Sequence, residues 1–206
     1  MTQQRQLFGT DGIRGVAGEF PLTAQSTYLI GRALGHDLVH TSTKAKAVIG
    51  QDTRESSRWI ADRVSEGLAA VGVDVHSAGV ITTPGIAYLA RSRGMVAGVV
   101  ISASHNPWTD NGIKVFSGDG FKLSDSRELA IEEEIFALLK NPGSDDDDGV
   151  HLRRSRGQPD GSGCVAAAVA CLLQLRTGRR RQASGRRGRA SKVHTSACGD
   201  QVSRSG

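Results

Sequence analysis

Cysteine is scarce and scattered: the 206-residue chain has three, Cys164, Cys171 and Cys198. An odd count with no CxxC pair suits neither a disulfide framework nor a zinc site, so the thiols read as incidental. Aromatic residues are also few, and all nine lie between Phe8 and Phe136. The C-terminal part therefore lacks the side chains that dominate a hydrophobic core. Long apolar runs are missing as well. The longest, Cys164 to Leu173, is too short to cross a bilayer, and the opening MTQQRQLF is too polar for a signal-peptide core. A cytosolic location and no membrane partner are the resulting expectations.

Charge divides near the point where the aromatics stop. Residues 1–150 carry 14 Lys+Arg against 19 Asp+Glu, and residues 151–206 carry 12 against 2, so the overall +5 describes neither half. Clusters such as Arg179-Arg180-Arg181 and Arg186-Arg187-Gly188-Arg189, with few β-branched neighbours, cannot bury enough apolar surface to offset their ordering entropy. One folded domain over residues 1–142 is expected, followed over 143–206 by an acidic linker and a basic, disordered tail with at most a frayed helix over 165–175. Asp145 to Asp148, after the helix stop Asn141-Pro142-Gly143, read as solvated linker rather than metal ligands. Without aromatic residues for base stacking, the tail supports only non-specific contacts to nucleic acid, and specific binding is not expected.

The first 142 residues alternate strand-like and helix-like segments. Thr23 can cap a helix through about Val39, Ala47 to Gly50 suits a strand, and a helix follows from about Ser57 to Val71. Val73 to Val80, a turn at Pro84 and a helix to about Arg93 repeat the pattern, and Ser124 can cap a last helix to about Leu139. Such alternation predicts an α/β fold, a mixed sheet of about four strands flanked by helices. Val96 to Ile101 is an apolar, β-branched run that reads as a strand buried on both faces. Ile113 to Ser117 reads as its antiparallel neighbour, since the loop between them is short.

Chemistry-bearing residues collect after that buried strand. Ser102, Ser104, His105, Asn106, Thr109, Asp110, Asn111 and Lys114 are expected in polar loop just past its C-terminal end, where ligands bind in open α/β sheets. Two other segments are candidates for the same place. FGTDGIRG, from Phe8 to Gly15, reads as a glycine-rich turn that presents the Arg14 guanidinium, a fork suited to phosphate oxygens, or as an ordinary turn with a surface arginine. QDTRESS is a polar strand-to-helix turn whose amides could face an anion, or a helix start capped by Ser56 or Ser57.

Taken together, FGTDGIRG, DTRESS, TTPGIAYL, SASHNP and DNGIK resemble the α-D-phosphohexomutases over about residues 5 to 140. The wording of FGTDGIRG and SASHNP, with VFSGDGFKL following, is most similar to the bacterial branch that acts on glucosamine phosphate, with a phosphoglucomutase or phosphomannomutase of the same superfamily, or a non-catalytic fragment, as the alternatives. The resemblance implies a first domain carrying a phosphoserine, here Ser104, whose phosphate passes to glucosamine 6-phosphate. The 1,6-bisphosphate then reorients and returns its other phosphate to the serine, leaving glucosamine 1-phosphate. It also implies basic partners at Arg14 and Lys114, which hold charge or move the hydroxyl proton. His105 is a second proton carrier or a loop residue bonded to backbone. Asn106 and Asn111 are expected to bind phosphate or substrate. Ser102 is the rival nucleophile, disfavoured because it still sits at the strand end.

A magnesium ion held through the Ser104 phosphate is also implied. The family's DGDxDR metal loop, its sugar-recognition loop and its RxSGTE phosphate loop do not occur in this sequence. A fragment inactive by itself, self-associating through an uncovered domain surface, is therefore expected. One permitted encoding of Arg181 to Thr195, read one base later, gives GKLVVDVAGRARYT. This is similar to the strand opening the family's second domain, so the tail is expected to be a frameshifted reading.

Overall fold

The computed structural model describes residues 6–141. The anticipated linker, Asp145 to Asp148, the frayed helix, the basic tail and the shifted-frame segment lie outside the described residues. The described chain runs β1 (Phe8–Gly9), β2 (Gly12–Val16), α1 (Ala24–Thr41), β3 (Lys46–Gln51), α2 (Glu55–Ala70), β4 (Asp74–Val80), α3 (Thr83–Ser92), β5 (Ala97–Ile101), β6 (Asp110–Ser117) and α4 (Asp125–Lys140). None of these helices is long and apolar enough to cross a membrane.

Local signals account for the helices. Thr23 caps α1 in a reciprocal box with Ser26, and the Ser124 hydroxyl accepts the Arg127 amide at the start of α4. At α2 the expectation of a serine cap is corrected: Arg54 is the N-cap residue, without a side-chain cap, and Ser56 and Ser57 sit inside the first turn. That leaves both serine hydroxyls free for partners outside the helix.

Six strands form one mixed sheet in the order β1-β2-β6-β5-β3-β4. β4, β3 and β5 are parallel, joined by helical crossovers, whereas β6 and β2 run antiparallel to their neighbours. FGTDGIRG supplies the two strands beyond the expected four. It is a hairpin rather than an isolated turn, with Gly9 opposite Gly12 across Thr10–Asp11. Gly12 has φ +88°, and a Cβ there would lie 2.3 Å from the Ile113 carbonyl oxygen, so only glycine lets β2 lie against β6.

Period-two alternation fills both faces of β5. Ala97, Val99 and Ile101 join the core beneath α1, α2 and α4, and Val100 packs with Ile86, Leu89 and Ala90 of α3. α1 and α2 cross closely because both carry glycine at the contact. A Cβ on Gly31 would meet the Val64 carbonyl at 2.3 Å, and one on Gly67 the Tyr28 carbonyl at 2.1 Å. α3 packs on β3, β5 and β6. Lys114 lies opposite Val100 and Arg14 opposite Gly112, so toward the β1–β2 edge this same face carries two cations.

Candidate active site

β6 begins at Asp110, three residues earlier than its apolar pattern predicts, so Asp110 and Asn111, expected in the loop, are strand residues, and Lys114 belongs to the strand rather than to the loop. The connection between β5 and β6 is consequently only residues 102–109, and Lys114 is an interior strand residue. Its aliphatic stem is buried and its ammonium reaches up to the loop, where Lys114 Nζ donates to Ser104 Oγ at 2.8 Å. Ser104 has φ +56°, alone among the non-glycine described residues. For an L-residue this left-handed conformation costs of order 1–2 kcal/mol and must be held by its surroundings.

The holding bonds are specific. Ser104 N donates to Ser102 Oγ at 3.1 Å, while the Ser104 carbonyl accepts from Arg54 Nη2 at 3.0 Å. Arg54 also donates to the carbonyls of Asn106 at 2.9 Å and Asp110 at 3.1 Å, and to that of Pro107. Its own Nε is fixed by Asp52 Oδ2 at 3.0 Å, and its amide by Asp52 Oδ1 at 3.1 Å. Partial burial raises the Asp52 carboxyl, and hydrogen bonds from Ser57, Arg54 and Ser102 more than offset that, leaving it below its ordinary value.

A second cluster faces Ser104 from the hairpin. Asp11 Oδ2 lies 2.6 Å from Lys114 Nζ and 2.9 Å from Arg14 Nη2, and Arg14 Nη1 donates to Asn106 Oδ1 at 3.1 Å. Asn106 in turn donates to Asp110 Oδ2 at 3.0 Å. Partial burial raises the Asp11 carboxyl, but the bonds and charges of Lys114 and Arg14 outweigh it and hold Asp11 below the usual carboxylate range. Two cations against one carboxylate leave a net positive field beside the serine oxygen, which suits an incoming phosphate. A groove of about 380 Å³ lined by Leu7, Gly9, Thr10, Asp11, Gly12 and Arg14 opens next to it.

The sequence-predicted residues thus separate into two groups. Ser104, Lys114, Arg14 and Asn106 come together. His105 is exposed on the loop, and no hydrogen bond among the described residues ties it to the cluster. Asn111 is wholly buried: its amide donates to Ser56 Oγ at 2.8 Å and Ser57 Oγ at 2.9 Å, and its oxygen accepts Gly112 N at 2.8 Å. It ties β6 to α2 and presents no atom to a ligand, which corrects its expected substrate contact. Ser102 is buried and its hydroxyl oxygen accepts the Ser104 amide. Asp11, Asp52 and Arg54 carry the geometry without having been singled out as site residues, although DTRESS had marked a polar turn there.

No group of three or more His, Cys, Asp and Glu side chains is placed to hold a metal ion among the described residues. The carboxylates around the serine loop have partners already: Asp11 is bound to Lys114 and Arg14, Asp110 to Asn106, and Asp52 to Arg54 and Ser57. These residues do not make a magnesium site by themselves.

Fold and site define an α/β domain whose serine-bearing loop is backed by buried and half-buried cations. Residues 5–141 match the family described as phosphoglucomutase/phosphomannomutase, alpha/beta/alpha domain I, and the chain belongs to that family of isomerase and phosphotransferase enzymes. It is 61% identical over 136 residues to a phosphoglucosamine mutase of Koribacter versatilis, covering 66% of this chain and 29% of that protein. A phosphoglucosamine mutase of Solibacter usitatus is 58% identical over 138 residues, 67% of this chain and 31% of the relative. Among solved structures, a phosphoglucomutase/phosphomannomutase family protein from Burkholderia thailandensis superposes with a TM-score of 0.57 at 28% identity, covering 65% of this chain and 30% of that one. The chain spans about three tenths of the length of the curated relatives it matches.

Proposed function

We propose that residues 6–141 are the serine-bearing domain of a phosphohexomutase that interconverts glucosamine 6-phosphate and glucosamine 1-phosphate. The observation that carries this reading is the strained Ser104, its Oγ 2.8 Å from the buried Lys114 ammonium. Phosphoryl transfer is largely positioning and charge stabilisation, and this arrangement supplies both. In the forward step the bond between a sugar hydroxyl oxygen and phosphorus forms as the Ser104 Oγ–phosphorus bond breaks. Lys114 donates its proton to the departing serine oxygen, and the proton of the sugar hydroxyl replaces it. Arg14 neutralises the moving phosphoryl oxygens. The amino sugar is favoured because the two relatives at 61% and 58% identity are named phosphoglucosamine mutases. Under this reading the chain's contribution to a magnesium ion is the phosphate oxygens on Ser104.

The test is a single half-reaction rather than turnover: transfer of one phosphate from a sugar bisphosphate to the purified chain, with magnesium supplied in solution. Incubation with glucosamine 1,6-bisphosphate should place one phosphate on the tryptic peptide containing Ser104, read by mass spectrometry, and Ser104→Ala should stay blank. Lys114→Ala should slow the transfer by about 10²–10³-fold, the usual loss for one preorganised charged donor. Phosphate on another residue, or an unaltered rate in Lys114→Ala, would refute the assignment. Faster transfer from glucose or mannose 1,6-bisphosphate would replace the amino sugar as substrate.

A further inference from the structure

Ser104 is held from both sides by groups that lead back to a single carboxylate. Its amide donates to Ser102 Oγ at 3.1 Å, and Ser102 is among the groups that hold the Asp52 carboxyl below its ordinary value. Its carbonyl accepts from Arg54, whose Nε lies 3.0 Å from Asp52 Oδ2. Arg54 then spreads over the rest of the loop, reaching the carbonyls of Asn106, Pro107 and Asp110. Its side chain is only 12% exposed, and Asp52 is further fixed by Ser57, a first-turn residue of α2.

We propose that Arg54, oriented by Asp52, is the positioning residue that keeps the Ser104 loop in its left-handed, transfer-competent conformation. Nothing else available to the protein does this equally well. Carbonyls 104, 106, 107 and 110 point toward one centre, and only a planar fork of five donors can serve several of them at once; an ammonium offers three donors without the fork's geometry. The bonds are to backbone, so they fix the path of the loop rather than one side chain. A left-handed serine relaxes toward the right-handed or extended region if its carbonyl is released, and that rotation would carry Oγ away from Lys114. Arg54 touches no reacting atom in this scheme. Its effect on the reaction is through Ser104, and this part of the proposal rests on the phosphoserine reading above.

Arg54→Lys and Arg54→Ala test it with two readouts. Hydrogen exchange of the peptide spanning residues 102–111 reads loop order directly and needs no activity. It should accelerate in both variants while the global melting transition of Arg54→Lys stays close to that of the unmodified protein. Phosphate uptake by Ser104 from glucosamine 1,6-bisphosphate should fall on the order of 10²-fold, the loss expected for ~1 Å of misplacement. Free guanidinium, below denaturing concentration, should restore uptake in Arg54→Ala and leave Arg54→Lys unaffected, a selectivity that a general loss of stability would not produce. Unchanged loop exchange in both variants would overturn the positioning role whatever the activity. Uptake as fast in Arg54→Lys as in the unmodified protein would overturn it too. If the unmodified protein takes up no phosphate, the phosphoserine reading fails, and the exchange result alone decides the role of Arg54.

Discussion

Glu132 offers the sharpest stability test, because one buried carboxylate holds the strand that carries the site hairpin. From α4, Glu132 Oε1 accepts Gln6 N at 2.6 Å, and Oε2 accepts Leu7 N at 2.8 Å and Phe8 N at 3.0 Å, with the residue only 4% exposed. In Glu132→Gln the amide oxygen can keep the Leu7 and Phe8 bonds, while the amide nitrogen must face the Gln6 N–H. Replacing charged by neutral acceptors costs about 1 kcal/mol for each of the two surviving bonds, and the lost bond costs about 1.5–3 kcal/mol. Relief of carboxylate desolvation offsets part of this, leaving a net loss of about 2–3 kcal/mol. At roughly 3–4 °C per kcal/mol for a domain of this size, the melting temperature should drop by about 6–12 °C. Circular dichroism melts of the two proteins measure it directly. A shift under about 2 °C would mean that the three amides find water as readily as the carboxylate, and the reasoning would be wrong. Because β1 leads into Asp11 and Arg14, the same variant should also loosen the hairpin that faces Ser104.

Two further outcomes follow from the geometry. Gly12→Ala should cost more than 2 kcal/mol by chemical denaturation, combining about 1–2 kcal/mol for φ +88° with the backbone contact at 2.3 Å. Gly18→Ala, at φ +94° with nothing within 4 Å, is the control that bears only the conformational part, so equal losses would dismiss the close approach of β2 to β6. Asp11 and Asp52 titrate below their ordinary 3.8, so the unfolded chain binds their protons first as pH falls. Their stabilisation is complete above about pH 4 and is lost as pH drops through the lower folded-state values. The urea midpoint should therefore fall below about pH 4 and fall less steeply in Asp52→Asn, and parallel curves for the two proteins would show that Asp52 contributes nothing.

Much of the fold was legible locally. Thr23 and Ser124 announce their helices because a cap is a bond between residues three apart. The β5 run announces a strand covered on both sides because alternate residues must each find a packed face. The FGTDGIRG hairpin was not legible as two sheet strands. Its strands are short and glycine-rich; β2 is a strand because it pairs with β6 about a hundred residues away, and β1 because it folds back on β2. The early start of β6 was hidden for a related reason: Asp110, Asn111 and Gly112 have no strand-like pattern and are extended because β2 pairs with them.

The candidate site divides along the same line. The sequence alone determined that Ser104 sits on a polar loop after a buried strand, with Asn106 beside it and Lys114 downstream, since order along the chain and the apolar run settle that. The register between β6 and its neighbours, which no local pattern encodes, decided that Lys114 points at Ser104, that Asn111 turns inward, and that Arg14 and Asp11 arrive from the hairpin. Arg54 belongs wholly to the tertiary structure. Its four carbonyl partners lie 50 to 56 residues away, and backbone oxygens leave no trace in side-chain identity. Their convergence exists only once β3, β5 and β6 are aligned and α2 has been set down beside them.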